Sequence, residues 1–202
     1  LRYLDQTRSA FLTVDYDTHF NELNAAIFSG SWTLPDKSTL HGGADYRKAP
    51  YLTSWNALQG QQVLTLFELL KLRTQSEITQ MALDRTATYT SANVGYSRPL
   101  TDKWQLNLDA TAAHIDGTIA SFGVDAMPST GNEFYYAAQL VGSSLFNDGD
   151  LFIAGVRFAD RQDSDTYVID LGTRLPLMQD WRINPRLMLS HREGKTTDFT
   201  EV

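Results

Sequence analysis

The sequence predicts an all-β fold: an antiparallel transmembrane β-barrel of about ten strands, part of a larger barrel, with a helical insertion. Three observations predict it. Apolar and polar residues alternate with a period of two over strand-length stretches. Tight turn signals alternate with longer polar connections. Aromatic residues sort to opposite ends of the alternating stretches.

The alternation is cleanest in Trp104–Ala112. Trp104, Leu106, Leu108, Ala110 and Ala112 form one face, and Gln105, Asn107, Asp109 and Thr111 form the other. A period of two is the signature of a strand with two unlike faces. Trp181, Ile183, Pro185, Leu187 and Leu189 repeat it against Arg182, Asn184, Arg186 and Ser190, with Met188 an exception. Tyr167, Ile169, Leu171 and Leu175 do so against Asp170 and Arg174. Phe152–Phe158, Leu40–Tyr46 and Ala26–Leu34 follow the same rule less cleanly. The strands are expected near 9–17, 23–34, 38–48, 87–98, 103–114, 133–144, 150–160, 165–175 and 181–192, with a tenth beginning near Lys195.

Turn-forming residues cluster at Leu34–Ser38, Pro99–Lys103, Phe146–Asp150 and Pro176–Asp180. Asp, Asn, Gly and Pro favour turn conformations. Between these fall longer or more polar connections, Asp17–Glu22, Lys48–Thr86, Ile115–Glu133 and Asp160–Asp165. Short turns on one side and long loops on the other are the connectivity of outer-membrane barrels.

Within residues 54–85 the period changes. Val63, Leu66, Phe67 and Leu70 recur at helical spacing, and Thr74 or Ser76 is placed to cap a second helix carrying Ile78, Met81 and Ala82. A helix, a short turn and a second helix are expected. A competing strand over Val63–Arg73 also fits, because Val63, Thr65, Phe67, Leu69, Lys71 and Arg73 alternate. The insertion would lie on the long-loop side, either plugging the lumen or packed as a surface loop.

Three of the four tryptophans sit beside a short turn: Trp32, Trp104 and Trp181. Tyr16, Tyr46, Phe134, Tyr136, Phe158 and Tyr167 gather towards the other strand ends. Two aromatic girdles are expected where an amphipathic ring meets both headgroup and hydrocarbon. The face opposite the girdles carries Arg157, Arg174, Arg182, Arg186 and Arg192, with Asp45, Asp109 and Asp170 placed to face them. These residues are candidates to line a lumen. They would either bias permeation towards anions or sugars, or form ion pairs that hold a narrow barrel shut. A soluble β-sandwich or lipocalin-like barrel alternates too, but keeps its apolar residues inside.

Composition sets further bounds. The net charge of −7 argues against a nucleic-acid partner. The absence of cysteine excludes disulfides and thiol chemistry. The mean hydropathy of −0.30 conceals strands in which alternate residues meet lipid. His19, His41, His114 and His191 show no metal-ligand spacing, and no catalytic or nucleotide-binding motif is present. No enzyme activity, cofactor or metal is expected.

The segments Ser97–Ala113 (SRPLTDKWQLNLDATAA) and Arg174–Arg192 (RLPLMQDWRINPRLMLSHR) resemble the hairpins of Gram-negative, porin-like outer-membrane barrels. The closer resemblance is to the C-terminal barrels of tetratricopeptide-containing envelope proteins such as exopolysaccharide exporters. No such repeat stands in this chain. The family's last strand usually ends in an aromatic residue, whereas this sequence ends Phe199-Thr-Glu-Val202, which suggests a section of a larger barrel. The resemblance implies an outer-membrane location and a conduit for hydrophilic solute or exported polymer. It implies lipid, lipopolysaccharide, the barrel-insertion machinery and a polysaccharide as partners. A non-conducting barrel for display or anchoring, and a soluble ligand-binding barrel, are the alternatives.

Overall fold

Alternating side chains pair across neighbouring strands, and in this chain the pairing runs in sequence order. The computed structural model describes residues 1–176 and 181–195. Its strands are β1 (Arg2–Leu4), β2 (Arg8–Asp17), β3 (Glu22–Thr33), β4 (Thr39–Ala49), β5 (Ala87–Pro99), β6 (Trp104–Ile115), β7 (Gly131–Ser143), β8 (Leu151–Asp160), β9 (Ser164–Pro176), β10 (Arg182–Ile183) and β11 (Arg186–Gly194). They form one 11-stranded antiparallel sheet in the order β1 to β10, with β11 also paired to β9. The sheet is not closed on itself among the described residues.

The expected strands are present within about two residues, with three corrections. β1 was not expected; its three residues are too few for alternation to register. The last expected strand is broken into β10 and β11 at Asn184–Pro185. Proline lacks the N–H that a ladder needs, although register resumes beyond it, with Ile183 opposite Leu175 and Leu187 opposite Leu171. The connections between β2 and β3 and between β8 and β9 are tight rather than long, spanning residues 18–21 and 161–163. The expected turn over 177–180, and the tenth strand beyond Lys195 with Phe199, lie outside the described residues.

The turns at the tryptophan end are tied by short polar side chains. Asp36 accepts the Ser38 N–H and hydroxyl while Lys37 takes a left-handed backbone conformation, φ 64°. Thr101 Oγ1 accepts from the N–H groups of Lys103 and Trp104. Asp150 accepts from three successive N–H groups, those of Leu145, Phe146 and Asn147, at 2.7–2.8 Å.

Among the described residues the buried apolar core stands at the opposite end. A 3₁₀ turn (Ser54–Leu58), α1 (Leu66–Leu72) and α2 (Gln75–Asp84) lie between β4 and β5. The helix overturns the strand alternative for Val63–Arg73. Thr65 caps α1, and Thr74 with Glu77 forms a reciprocal capping box on α2. Leu52, Ala57, Leu69, Ile78, Met81 and Ala82 bury one another together with Phe20 from the β2–β3 turn, and Phe122 from the β6–β7 connection packs against them. The helices therefore pack on each other and on neighbouring loops at the end of the sheet. The two faces of the sheet are left without a covering layer of helix or second sheet among the described residues.

Candidate functional site: the polar face of the sheet

Directly paired residues in an antiparallel sheet share a face. Tracing the register from β2 to β11 therefore sorts the chain into two faces. One carries Leu12, Phe28, Leu40, Val94, Leu108, Ala110, Tyr136, Val156, Ile169 and Leu189. Many of these are open to the surroundings: Val94, Val156 and Ile169 are 56%, 52% and 52% exposed. The charged residues of this face stand near the strand ends, with Arg8 and Arg98 at one end and Lys48, Asp160, Asp165 and Glu193 at the other. Between them the face is uncharged, from Ala10 to Tyr16 in β2, Trp104 to Ala112 in β6 and Tyr167 to Leu175 in β9. That is roughly 20–30 Å of strand at about 3.3 Å per residue.

The register puts the strand residues of the expected girdles, Trp32, Trp104, Tyr16, Tyr46, Phe134, Tyr136, Phe158 and Tyr167, on this apolar face. Trp181 precedes β10 in step with Ile183 and is 71% exposed. Tyr136, Phe158 and Tyr167 form a ladder across three strands, with ring centroids 6.2 and 4.9 Å apart. At the other end Arg8 lies over the Trp32 ring.

All eight lumen candidates share the opposite face: Asp45, Asp109, Arg157, Asp170, Arg174, Arg182, Arg186 and Arg192. The structure pairs only some of them. Arg157 reaches Asp170 at 3.4 Å, and Arg192 reaches Asp163 at 3.0 Å. Asp45 turns to Arg47 at 3.6 Å. No described carboxylate pairs with Arg174, Arg182 or Arg186. Asp109 meets a partner that the spacing did not suggest: His41 Nε2 lies 3.2 Å from its Oδ1. The two stand on β4 and β6, and Gly95 on the intervening β5 is in register with both. A side chain at Gly95 would occupy the space in which they meet.

The same face carries a neutral ladder. Ser97 donates to Asn107 at 2.7 Å, Gln105 donates to both, and Asn107 reaches Gln139 at 3.5 Å. Beside it lies a cleft of about 470 Å³ with Asp109, Thr111, Tyr135, Arg157, Arg161, Thr166 and Arg192 on its walls and Ala137 and Ala159 on its floor. Thr111 lies on the polar face that alternation in Trp104–Ala112 predicts, whereas Tyr135, Arg161 and Thr166 escape a reading of single strands. Alternation does place Tyr135 on the polar face, between the apolar-face Phe134 and Tyr136, and this was the signal to follow.

At the loop end of β6, His114 Nε2 lies 3.1 Å from Asp116, and its Nδ1 lies 2.8 Å from the carbonyl of Gly131, the first residue of β7. Among the described residues no group of three or more His, Asp or Glu is placed to hold a metal ion. No helix is long and apolar enough to cross a membrane, which says nothing of strands. No family model matches the chain, and no curated protein matches it.

Proposed function

We propose that this chain forms a section of a bacterial outer-membrane β-barrel and that the barrel is a conduit for hydrophilic solute or polymer. One observation carries the reading: a continuous, uncharged apolar face, bounded by aromatics and then by charges, that no other layer covers among the described residues. Exposure of such a face to water would cost roughly 25 cal/mol for each Å² of apolar surface. Hydrocarbon removes that cost. Two hollows on this face support the reading. One is floored by Ala110 and Ala138 and walled by Leu108, Tyr136 and Phe158; the other is floored by Gly30 and Gly42 and walled by Phe28, Trp32 and Leu40. Both are lined by apolar groups of a size to seat acyl chains.

The opposite face then lines the passage. Side chains two strands apart meet over Gly95, as expected where a sheet curves towards its polar side. In lipid an unpaired strand edge leaves N–H and C=O groups unsatisfied, so the reading requires the sheet to be completed by further strands. Its partners are outer-membrane lipid, lipopolysaccharide, the insertion machinery and an exported polymer such as a polysaccharide.

The hydrogen-bonded Ser97–Asn107–Gln139 ladder favours a second reading, a non-conducting barrel that displays its loops or anchors a periplasmic assembly. Membrane fractionation and planar-bilayer recording separate these. Recovery with the outer membrane, extraction only by detergent, and discrete conductance steps are expected. Membrane recovery without conductance selects the anchor. Recovery in the soluble fraction without detergent overturns both and favours a soluble ligand-binding barrel.

A further inference from the structure

The cleft on the polar face has more cationic hydrogen-bonding capacity than its own carboxylates use. Arg161, in the β8–β9 turn, lies over the Tyr135 ring with its guanidinium carbon 5.6 Å from the centroid. It forms no ion pair among the described residues, and its buried Nε has no hydrogen-bond partner. A buried donor left unpaired is unfavourable and rare. Arg157 and Arg192 are each engaged by one carboxylate contact, although a guanidinium offers five N–H donors. Three arginines thus border one hollow with donors to spare.

The β6 side of the cleft, with Asp109 and Thr111, has a different chemistry, and Thr166 on β9 stands opposite Arg192 in the register. Thr111 and Thr166 make no side-chain hydrogen bond among the described residues. Asp109, engaged by His41 through Oδ1, keeps Oδ2 as an acceptor. A carboxylate beside the arginines repels a small, multiply charged anion but accepts hydrogen bonds from neutral hydroxyl groups. The arrangement suits one ligand class: a molecule with a single carboxylate at one end and hydroxyls at the other.

We propose that this cleft is a binding subsite for an acidic sugar residue, its carboxylate held by Arg157, Arg161 and Arg192 and its hydroxyls by Thr111, Thr166 and Asp109. The inference rests on the conduit reading only in taking the polar face as the wall of the passage; the binding itself does not require conduction. It assigns the passage an anionic polysaccharide rather than a neutral one.

The test uses the full chain refolded in detergent micelles at low salt, with trigalacturonate, maltotriose and inorganic phosphate as probes in isothermal titration calorimetry. Trigalacturonate is expected to bind at least ten-fold more tightly than either maltotriose or phosphate. Arg161→Gln and Arg157→Gln should each weaken it by ten-fold or more. Thr111→Val, which leaves every charge in place, should weaken it several-fold. Arg174→Gln and Arg186→Gln, outside the cleft, should leave it within two-fold of the unsubstituted chain. Phosphate binding as tightly as trigalacturonate overturns the sugar assignment. So does an equal loss from Arg174→Gln and Arg157→Gln, since the general field of the arginine face would then be responsible. Conductance measured in parallel keeps the two ideas apart: a conducting barrel that ignores trigalacturonate sinks the subsite alone, and a silent barrel that binds it sinks the conduit alone.

Discussion

His41 Nε2 and Asp109 Oδ1 lie 3.2 Å apart although their strands are not neighbours, because the strand between them presents only the hydrogen of Gly95. Both side chains are nearly half exposed. A pair so placed is worth about 0.2–1 kcal/mol. Gly95→Ala puts a methyl group against the ends of both side chains, which can swing away at little cost. A double-mutant cycle on His41→Ala and Asp109→Ala is expected to give a coupling in that range in the native background and one near zero with Gly95→Ala. An unchanged coupling would show that the pair does not depend on the glycine.

Gly43 is a different case. A Cβ there would lie 2.8 Å from the carbonyl oxygen of Phe28 on β3 and 2.8 Å from Asn93 Oδ1 on β5. The asparagine can move, but the carbonyl belongs to the ladder. Gly43→Ala is therefore expected to cost about 1–3 kcal/mol, in the range of other overpacked sites, and clearly more than Gly95→Ala. Urea unfolding from lipid vesicles compares the two. Equal midpoints would place the strain at Gly43 in the side chain alone.

The aspartates at the tryptophan-end turns predict acid sensitivity. Asp5 accepts the Tyr3 hydroxyl at 2.7 Å and the N–H groups of Thr7 and Arg8 at 2.7 and 2.6 Å. These donors, the tyrosine hydroxyl foremost, lower its carboxyl from 3.8 to about 2. The Ser38 hydroxyl lowers Asp36, and backbone N–H groups, that of Asn147 foremost, lower Asp150. A carboxylate lowered by folding contributes stability that is complete above its ordinary value and is lost as pH falls through its folded value. For Asp5 that window runs from 3.8 down to about 2. The amide resonances of Thr7 and Arg8 in micelles should titrate with a midpoint near 2. A midpoint near 3.8 would mean that the turn does not hold the carboxylate.

The helical insertion has its own weak point. Thr74 accepts the Glu77 N–H at 3.3 Å, while Glu77 accepts the Thr74 N–H at 2.8 Å. Loss of an N-cap hydroxyl costs about 1 kcal/mol. Thr74→Ala should speed hydrogen exchange over α2 roughly five-fold and leave β6 and β7 unchanged, because the helices pack on loops rather than across the sheet. Faster exchange in the strands would show that the insertion supports the sheet.

The strands, both helices and the division into two faces were legible because each depends on residues close in sequence: period two, helical spacing, caps and turns. The exceptions are physical. β1 is too short to show a period, and Pro185 interrupts a strand whose alternation runs straight through it. Contacts across several strands were not legible. Alternation puts Asp109 and Arg157 on one face, but register decides that Asp109 meets His41 and that Arg157 meets Asp170. The cleft draws on β6, β7, β8, β9, β11 and a turn, so no stretch of sequence contains it. Arg161 stands in the β8–β9 turn, where no period places a side chain on either face.

Ala138 and Gln139 are neighbours on β7 that face opposite ways, Ala138 with Leu108 and Val156, and Gln139 with Asn107. If the apolar face meets lipid, Ala138→Arg places a cation near the middle of the hydrocarbon. The expected cost is about 2–4 kcal/mol of folding free energy in vesicles. Gln139→Arg adds the same side chain to a polar face and should change folding by no more than about 0.5 kcal/mol. A soluble barrel with its apolar side inward would also reject Ala138→Arg, but it would fold without lipid. The decisive comparison is therefore made twice, in vesicles and in detergent-free buffer. Folding of the unsubstituted chain in vesicles alone, with the penalty confined to Ala138→Arg, assigns the apolar face to the bilayer; folding in plain buffer assigns it to a protein interior.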